Sequence, residues 1–331
     1  MQIIENYSIK ERNTFGIEAK AKYFVELDET KDILDTLQKF KNEKLFVIGG
    51  GSNLLFVKDF DGAVLSYTNK KIKIIREDSD NVLVEVSAGC PWNELIEIAI
   101  ENNWYGLENL VGIPGTVGAA PVQNIGAYGA EQKDCFEYLN AINITNSREK
   151  HFSKEACDFD YRDSIFKNYL RNRYIITEVC YRLSKKFTPN LRYADLKSSG
   201  EIDNARDLTN KILEIRNSKL PDYTVLGNAG SFFKNPIIEK AEYKSLLAID
   251  PELKSYFAPD RMIKLSAAQL IEKAGWKGRR EGECGISEKH SLVIVNYGGA
   301  TGKEIFDFSE NIINDINNRY NVILEREVLV V

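Results

Sequence analysis

The sequence is poor in the residues that build metal centres and disulfide frameworks. Only two of its 331 residues are histidines, His151 and His290, which argues against a histidine-based metal centre. Five cysteines are present; they are scattered, odd in number and include no C-x-x-C pair. This pattern fits a reducing compartment without structural disulfides or a zinc site, and we expect no metal.

Long apolar runs and blocks of basic residues are also missing. The N-terminus lacks a basic-then-apolar signal, and no apolar run is long enough to span a bilayer. Lys and Arg total 44 against 49 Asp and Glu, a net charge of −5 that argues against nucleic-acid binding. We expect a cytoplasmic globular protein with room for two or three domains and no membrane or nucleic-acid partner.

The stretch 106–131, called here the glycine-rich stretch, contains six glycines and two prolines among mostly small or apolar residues. It is too rich in Gly and Pro for a regular helix or strand, and too apolar for a disordered linker. A buried irregular segment must still satisfy its backbone polar groups, and a ligand rich in acceptors can do so. Two interpretations stay open, a cradle for a flat, phosphate-bearing cofactor and a purely structural glycine loop.

A second glycine loop, Gly49-Gly50-Gly51-Ser52-Asn53, follows a short apolar strand at 45–48. A strand that runs into such a loop suits phosphate binding through backbone N–H groups. The Rossmann fingerprint fails, because Leu54 stands where its third glycine would be. A dinucleotide is therefore plausible here, in a fold other than Rossmann.

Apolar periodicity predicts five helices: one capped by Thr30, one opened by Pro91, one over about 204–218, one capped by Ser266 with Gln269 in a capping box, and one over 303–320. In the first, Ile33, Leu34, Leu37 and Phe40 form the apolar face. Strands are predicted at 82–86, 138–145 and 174–183.

The last ten residues, 322–331, read as a strand whose alternation sets Glu325 and Glu327 on one face with Ile323, Leu329 and Val331. Two carboxylates on an otherwise apolar face are unusual. The alternative is an edge strand with solvated charges.

Two familiar motifs are only approximated. The segment 297–304 fails as a P-loop, because Tyr297 is not glycine and Glu304 is not Ser or Thr. Ser231 fails as a nucleophile elbow, because Ala229 and Phe233 replace the two glycines.

The chain strongly resembles the UDP-N-acetylenolpyruvoylglucosamine reductase family, flavoenzymes of bacterial cell-wall synthesis. Matching segments occur in the family's order along nearly the whole chain: 13–16, 49–54, 106–129, 161–167, 219–221, 227–236 and 327–328. The resemblance implies a three-domain α+β fold. Residues 1–67 (with the strand 322–331) and 68–219 would form a vanillyl-alcohol-oxidase-type (PCMH-type) FAD-binding module, and 220–321 an α/β substrate-binding domain.

The resemblance also implies the reaction. NADPH would reduce a non-covalent FAD, and the reduced flavin would reduce the enolpyruvyl double bond of UDP-N-acetylglucosamine-enolpyruvate to UDP-N-acetylmuramate. A monomer is expected. Two alternatives stay open: an FAD-dependent oxidase or dehydrogenase of the same fold with another small substrate, and a non-enzymatic binder of a flavin or nucleotide sugar.

The resemblance assigns three catalytic residues. Arg162 would stabilise the charge that develops next to the substrate carboxylate, and Ser231 would donate the proton. Glu327 would take the family's carboxylate role, and we hypothesise that it carries or shares a proton when substrate is bound.

Further positions follow from the same resemblance. Tyr193, Lys219 and Asn235 would contact the substrate, and His290 matches a substrate-side position too loosely to be included. The residues expected to bind FAD are Gly50, Gly51, Ser52, Asn53, Leu54, Ile113, Gly115, Thr116, Gly118, Ala119, Gln123, Asn124, Gly126 and Arg216. The chain departs from the family where Ala119 or Ala120 replaces a frequent serine, and where Leu329 replaces a frequent arginine.

Overall fold

The computed structural model describes residues 1–197 and 200–331, which divide into two compact units. The first unit comprises Met1–Tyr7, Ala21–Gly50 and Phe60–Arg216, and the second comprises Ser8–Lys20, Gly51–Asp59 and Asn217–Val331. The division into three domains at 67/68 and 219/220 stays a prediction. The α+β class is evident in both units, which mix helices with small sheets.

The first unit contains a four-stranded sheet in the order Gln2–Ser8, Lys20–Leu27, Phe60–Tyr67 and Leu45–Ile48. Its last three strands pair in parallel, so their carboxyl ends share one edge, from which the loop that begins at Gly49 emerges. Helix Thr30–Lys39 buries Ile33 and Leu37 against this sheet, as predicted.

Two details of that first helix differ from the prediction. The N-cap is Glu29 rather than Thr30, because the Glu29 and Asp32 side chains form a reciprocal capping box and Thr30 becomes the first helical residue. Leu34 is 39% exposed, since it lies at the border of the buried face.

A five-stranded antiparallel sheet forms the rest of the first unit's framework. Its strands follow the order Glu149–Ser153, Phe136–Asn143, Tyr174–Ser184, Asn81–Ser87 and Ile72–Glu77. Alternate residues Val82, Val84 and Val86 enter a large core that also takes residues from helices Trp92–Glu101 and Ala205–Lys219. Pro91 is the N-cap of the first of these helices, as predicted. The unit also contains helix Ala194–Lys197, the hairpin strands Gly126–Ala127 and Ala130–Glu131, and the 3-10 turns Glu108–Leu110, Gln132–Asp134 and Glu155–Cys157.

The second unit has two small antiparallel sheets and a two-stranded parallel pair. One sheet has the order Gly227–Asn228, Ile294–Asn296, Cys284–Ile286, Arg280–Glu281, and the other Ile237–Ile238, Ile263–Leu265, Ser255–Phe257. Its helices are Lys240–Ile249, Ala267–Lys273 and Gly302–Tyr320, with 3-10 turns at Lys10–Arg12 and Pro259–Arg261.

The one cap predicted in this unit, Ser266, is partly confirmed, and a second cap was not predicted. Ser266 caps its helix by accepting the N–H of Gln269, but the Gln269 side chain donates to the Glu252 carbonyl instead of completing a capping box. Thr301 and Glu304 form a full box at the start of Gly302–Tyr320. The segment that resembled a P-loop is therefore the beginning of this helix.

The C-terminal segment is shorter as a strand than predicted. Only Leu329–Val330 is regular, and it pairs in parallel with Leu54–Leu55. The alternation holds, but the buried face carries Val322, Leu324 and Val328. Ile323 is 73% exposed, so the face that carries both glutamates is the less buried one, which favours the alternative of an edge strand with solvated charges.

No helix in the described ranges is both long and apolar enough to cross a membrane.

Candidate active site

Arg162 occupies a tight turn in the first unit. Asp160 and Asp163 exchange two backbone hydrogen bonds of 3.2 Å, which leaves Tyr161 and Arg162 at the tip. Arg162 has a φ of +54°, in the left-handed region that costs a residue with a Cβ roughly 1 kcal/mol. Its guanidinium donates to the Gly126 carbonyl, and the side chain is 17% exposed. The strained turn thus directs a mostly buried cation at the glycine-rich stretch.

A polar network behind Arg162 was not visible in the sequence. Glu131 Oε1 lies 3.6 Å from Arg162 Nη1, while Glu131 Oε2 accepts a hydrogen bond from Asn124 and forms an ion pair with Lys133 Nζ, both at 3.0 Å. Asn124 is fully buried; its amide also donates to the Asp160 carbonyl, and its oxygen accepts from Gln132 and Lys133. The side chain of Asn124, predicted to bind cofactor, is therefore used within the protein, which leaves only its backbone for a ligand.

The two glycine segments of the first unit approach each other closely. A Cβ on Gly50 would lie 2.8 Å from the Gly115 Cα, so only glycine fits there. In the described part of the chain, the N–H groups of Gly50, Gly115 and Thr116 donate to no protein acceptor. Three unused donors on facing, partly exposed loops are what a pyrophosphate needs, so these residues fit FAD.

Other predicted FAD contacts line the same stretch. Gly118 packs so tightly on Ala88 that an added Cβ would lie 2.5 Å from the Ala88 Cβ. Ala119 and Gln123 are half-buried, and Ile113 packs against the core of the first unit. Arg216 lies beside Gly112, and burial lowers the pKa of its guanidinium while a hydrogen bond with Tyr128 opposes that change.

Tyr193 joins this group through an edge-to-face contact with Tyr128, their ring centres 5.0 Å apart. Its ring is 37% exposed.

The remaining residues of the second glycine loop lie in the second unit. Gly51 has a φ of +64°, and its carbonyl accepts the N–H of Thr14. Asn53 donates from its side chain to the Glu327 carbonyl at 3.1 Å and accepts the Leu329 N–H at 3.0 Å. Ser52 and Leu54 flank Asn53, so the predicted phosphate loop is attached directly to the segment that carries Glu327.

Ser231 and Glu327 lie on adjacent antiparallel segments of the second unit. The Glu327 N–H donates to the Phe232 carbonyl at 2.8 Å, Phe233 forms a bridge with Arg326, and the Lys234 N–H donates to the Glu325 carbonyl. Phe232 itself donates to the Leu292 carbonyl. The serine and the acid, 96 residues apart in the sequence (327 − 231), are thus held by one short ladder.

The neighbours of Glu327 have other partners. Glu325 is paired with Lys234 Nζ at 2.6 Å and its side chain is 68% exposed, which agrees with the alternative of a strand with solvated charges. Arg326 donates to Ser309 and Glu310 of the last helix and stacks on Phe306. Glu327 is half-buried and directly follows these two clamped residues.

The residues of the second unit that were considered for substrate binding differ in their surroundings. Asn235 uses its side-chain oxygen to accept the Ala267 N–H, at the start of helix Ala267–Lys273, so only its NH2 group is left for a ligand. Lys219 ends helix Ala205–Lys219. His290 accepts the Leu292 N–H on Nδ1, and its pKa is lowered by burial and by the charges of Lys219 and Lys277.

No cluster of His, Cys, Asp and Glu able to hold a metal occurs among the residues that the structure describes.

Family comparisons bear on both units. Residues 221–331 match the model described as UDP-N-acetylenolpyruvoylglucosamine reductase, C-terminal domain, and residues 21–151 match an FAD binding domain. A UDP-N-acetylenolpyruvoylglucosamine reductase of Flavobacterium johnsoniae is 44% identical over all of both chains. One of Burkholderia vietnamiensis is 42% identical over 99% of this chain and 96% of its own.

A solved structure shares the fold. The reductase of the same name from Thermus caldophilus superposes with a TM-score of 0.69 at 22% identity, over 99% of this chain and 98% of that one. The predicted α+β fold with an FAD-binding module is confirmed.

Proposed function

This chain belongs to the UDP-N-acetylenolpyruvoylglucosamine reductase family of FAD-dependent oxidoreductases, which serve peptidoglycan precursor synthesis, and from that premise we propose its reaction and its catalytic residues. The substrate is UDP-N-acetylglucosamine-enolpyruvate, the product is UDP-N-acetylmuramate and the reductant is NADPH. The protein acts in the cytoplasm as a monomer.

FAD, held by the two glycine segments, would supply the redox chemistry, which is hydride transfer from NADPH to the terminal carbon of the enolpyruvyl double bond. This addition leaves negative charge on the neighbouring carbon, delocalised into the substrate carboxylate. The protein contributes by binding, orienting and stabilising that charge where it develops.

Arg162 binds the substrate carboxylate in this proposal. A planar guanidinium can make paired hydrogen bonds with a carboxylate, which a lysine cannot reproduce. Its strained backbone and its bond to the Gly126 carbonyl support the role, because both restrict where the charge can point.

Ser231 donates the proton that completes the reduction. A hydroxyl is a weak acid, but the carbon it protonates is strongly basic, and water or a neighbouring group can restore the proton. Glu327 lies on the segment adjacent to Ser231 and, carrying or sharing a proton, stabilises the developing enolate together with Arg162. The hydrogen bond from Glu327 to Phe232 is the observation that supports this pairing most directly.

Substrate contacts come from Tyr193, Lys219 and the NH2 group of Asn235. The residues given above for FAD hold it through the backbone donors of the two glycine segments and through Arg216. The three-domain division, 1–67 with 322–331, 68–219 and 220–321, is part of the same proposal.

An anaerobic spectroscopic experiment tests the reaction. Purified protein should be yellow, lose its absorbance with NADPH and recover it when the UDP-enolpyruvyl sugar is added. A colourless preparation that FAD does not reconstitute, or reduced protein that the sugar fails to reoxidise, would contradict the proposal.

A further inference from the structure

We propose that Glu131 is the positioning residue for Arg162: its carboxylate fixes the guanidinium in the orientation that receives the substrate carboxylate. The inference rests on the proposed function, because it requires Arg162 to act on substrate. All of its evidence lies within the first unit.

The short hairpin of strands Gly126–Ala127 and Ala130–Glu131 provides two points of attachment. Gly126 and Glu131 are directly paired across it. The Gly126 carbonyl accepts from Arg162 Nη2, and the Glu131 carboxylate lies 3.6 Å from Nη1. The hairpin therefore holds both ends of one guanidinium.

Space at this contact is limited on one side. A Cβ on Gly126 would lie 2.7 Å from Arg162 Nη1, so the guanidinium packs directly against the glycine backbone. Of the Arg162 and Glu131 side chains, 17% and 25% are exposed. A cation this buried needs a fixed counter-charge, and Glu131 supplies it.

Glu131 is itself prevented from moving. Its Oε2 accepts a hydrogen bond from Asn124 and forms an ion pair with Lys133, both at 3.0 Å, and its own N–H donates to Asp134 at 2.9 Å. Asn124 also binds the carbonyl of Asp160, at the base of the turn that carries Arg162. The hairpin and the turn are thus joined by a buried amide as well as by the ion pair.

The distances explain how Glu131 can orient Arg162 without replacing the substrate. A separation of 3.6 Å makes this an ion pair longer than a hydrogen bond, so Glu131 attracts Nη1 electrostatically without accepting its protons. Lys133 compensates the carboxylate, so Arg162, Glu131 and Lys133 together carry one net positive charge. An incoming carboxylate still meets a cationic group.

Glu131→Gln tests the inference because it preserves shape and removes charge. Reoxidation of reduced enzyme by the UDP-enolpyruvyl sugar should slow about tenfold, the size of a coupling between neighbouring groups. The KM for the sugar should change by less than about twofold, since deleting an anion does not weaken the attraction for an anionic substrate. Glu131→Asp, which keeps the charge, should recover part of the rate.

Glu137→Gln is the matched control. It removes a carboxylate of the same unit that is bound to Arg182 through two hydrogen bonds on an exposed sheet face. Its reoxidation rate should equal that of the wild type. A Glu131→Gln enzyme with a lowered melting temperature but an unchanged rate would show a structural role only and overturn the inference.

Variants of Arg162 separate the proposed function from the positioning role of Glu131. If Arg162→Ala retains normal reoxidation, the proposed function fails. If Arg162→Ala is inactive while Glu131→Gln is normal, only the positioning inference fails. In an Arg162→Lys background the Glu131→Gln effect should shrink; an undiminished effect would mean that Glu131 does not act through Arg162.

Discussion

The side-chain amide of Asn53 donates a hydrogen bond of 3.1 Å to the backbone carbonyl of Glu327, 274 residues further along the chain. The Asn53 carbonyl in turn accepts the Leu329 N–H, so one residue of the second glycine loop holds the backbone on both sides of Val328. The part of the loop that begins at Gly51 and the segment that carries Glu327 are therefore fixed relative to each other within the second unit.

The two carboxylates of this segment should differ sharply when neutralised. Glu327→Gln should slow substrate reduction by about 10²-fold, the contribution of a positioned acid. Glu325→Gln should stay within about twofold of the wild type, because it loses only an exposed ion pair with Lys234. Steady-state rates with NADPH and the enolpyruvyl sugar measure both. Equal rates for the two variants would remove Glu327 from the catalytic set.

Ser231→Ala should separate the two half-reactions. Reduction of the flavin by NADPH needs no proton donor for substrate and should be nearly unchanged, while reoxidation by the sugar should slow by about 10²-fold or more. Anaerobic stopped-flow absorbance measures each step. Ser245→Ala, an exposed serine on helix Lys240–Ile249, is the control. Equal slowing of both steps would contradict the donor role.

Local patterns in the sequence were sufficient for five of the helices and for several of the longer strands, but not for helix Lys240–Ile249 or for strands Lys20–Leu27 and Phe60–Tyr67. Leu208, Ile212 and Ile215 recur at helical spacing and are buried on helix Ala205–Lys219. The strands that contain Val84 and Val179 were predicted correctly, because the alternation of apolar residues and the enrichment in β-branched residues both indicate a strand there. These features depend on neighbours in the chain, which is why one sequence reveals them.

Features that depend on distant pairing were not predictable. The alternation at the C-terminus gave two faces, but which face is inner depends on packing, and it buries Val322 and Leu324 rather than Ile323. The ion pair of Glu131 with Arg162 needs a hairpin to meet a turn some thirty residues away, as their numbering shows. Such contacts leave no periodic signal.

Gly50→Ala should weaken FAD binding. The new Cβ would lie 2.8 Å from the Gly115 Cα. Because the atoms it meets belong to the Gly115 backbone, which cannot rotate away like a side chain, the two loops must separate. Overpacking of this kind costs about 1–3 kcal/mol. If that cost falls on the FAD-bound state, the affinity for FAD drops roughly tenfold to hundredfold. The ratio of flavin to protein absorbance and the fluorescence of released FAD measure it.

Gly299→Ala is the matched control for that experiment. Its added Cβ meets only the flexible side chain of Glu283, at 3.1 Å, and FAD content should not change. Full FAD occupancy in Gly50→Ala, with unchanged affinity, would argue against a phosphate site at this loop.

Glu108→Gln should stabilise the protein as the pH rises. Burial raises the pKa of the Glu108 carboxyl above its ordinary 4.5, and its Oε1 has no hydrogen-bond partner within the described residues. Because the pKa of Glu108 is higher in the folded than in the unfolded protein, the protonated carboxyl contributes to stability below pH 4.5. That contribution is lost as the pH rises through the pKa of the folded state. The amide cannot ionise and still accepts the Gly106 N–H, so at pH 8 its melting temperature should exceed that of the wild type by about 2 °C.

For Glu137→Gln we expect the opposite pH dependence of the melting temperature relative to the wild type. Hydrogen bonds from Arg182 lower the pKa of the Glu137 carboxyl, so its contribution to stability is present above 4.5 and lost as the pH falls. This variant should therefore melt below the wild type at pH 8, and the difference should begin to shrink only as the pH falls below 4.5. Melting curves of the three proteins between pH 4 and pH 8, followed by circular dichroism, should diverge in opposite directions. A difference between Glu108→Gln and the wild type that does not vary with pH would mean that the buried carboxyl keeps its ordinary pKa, because a constant offset can arise only from packing.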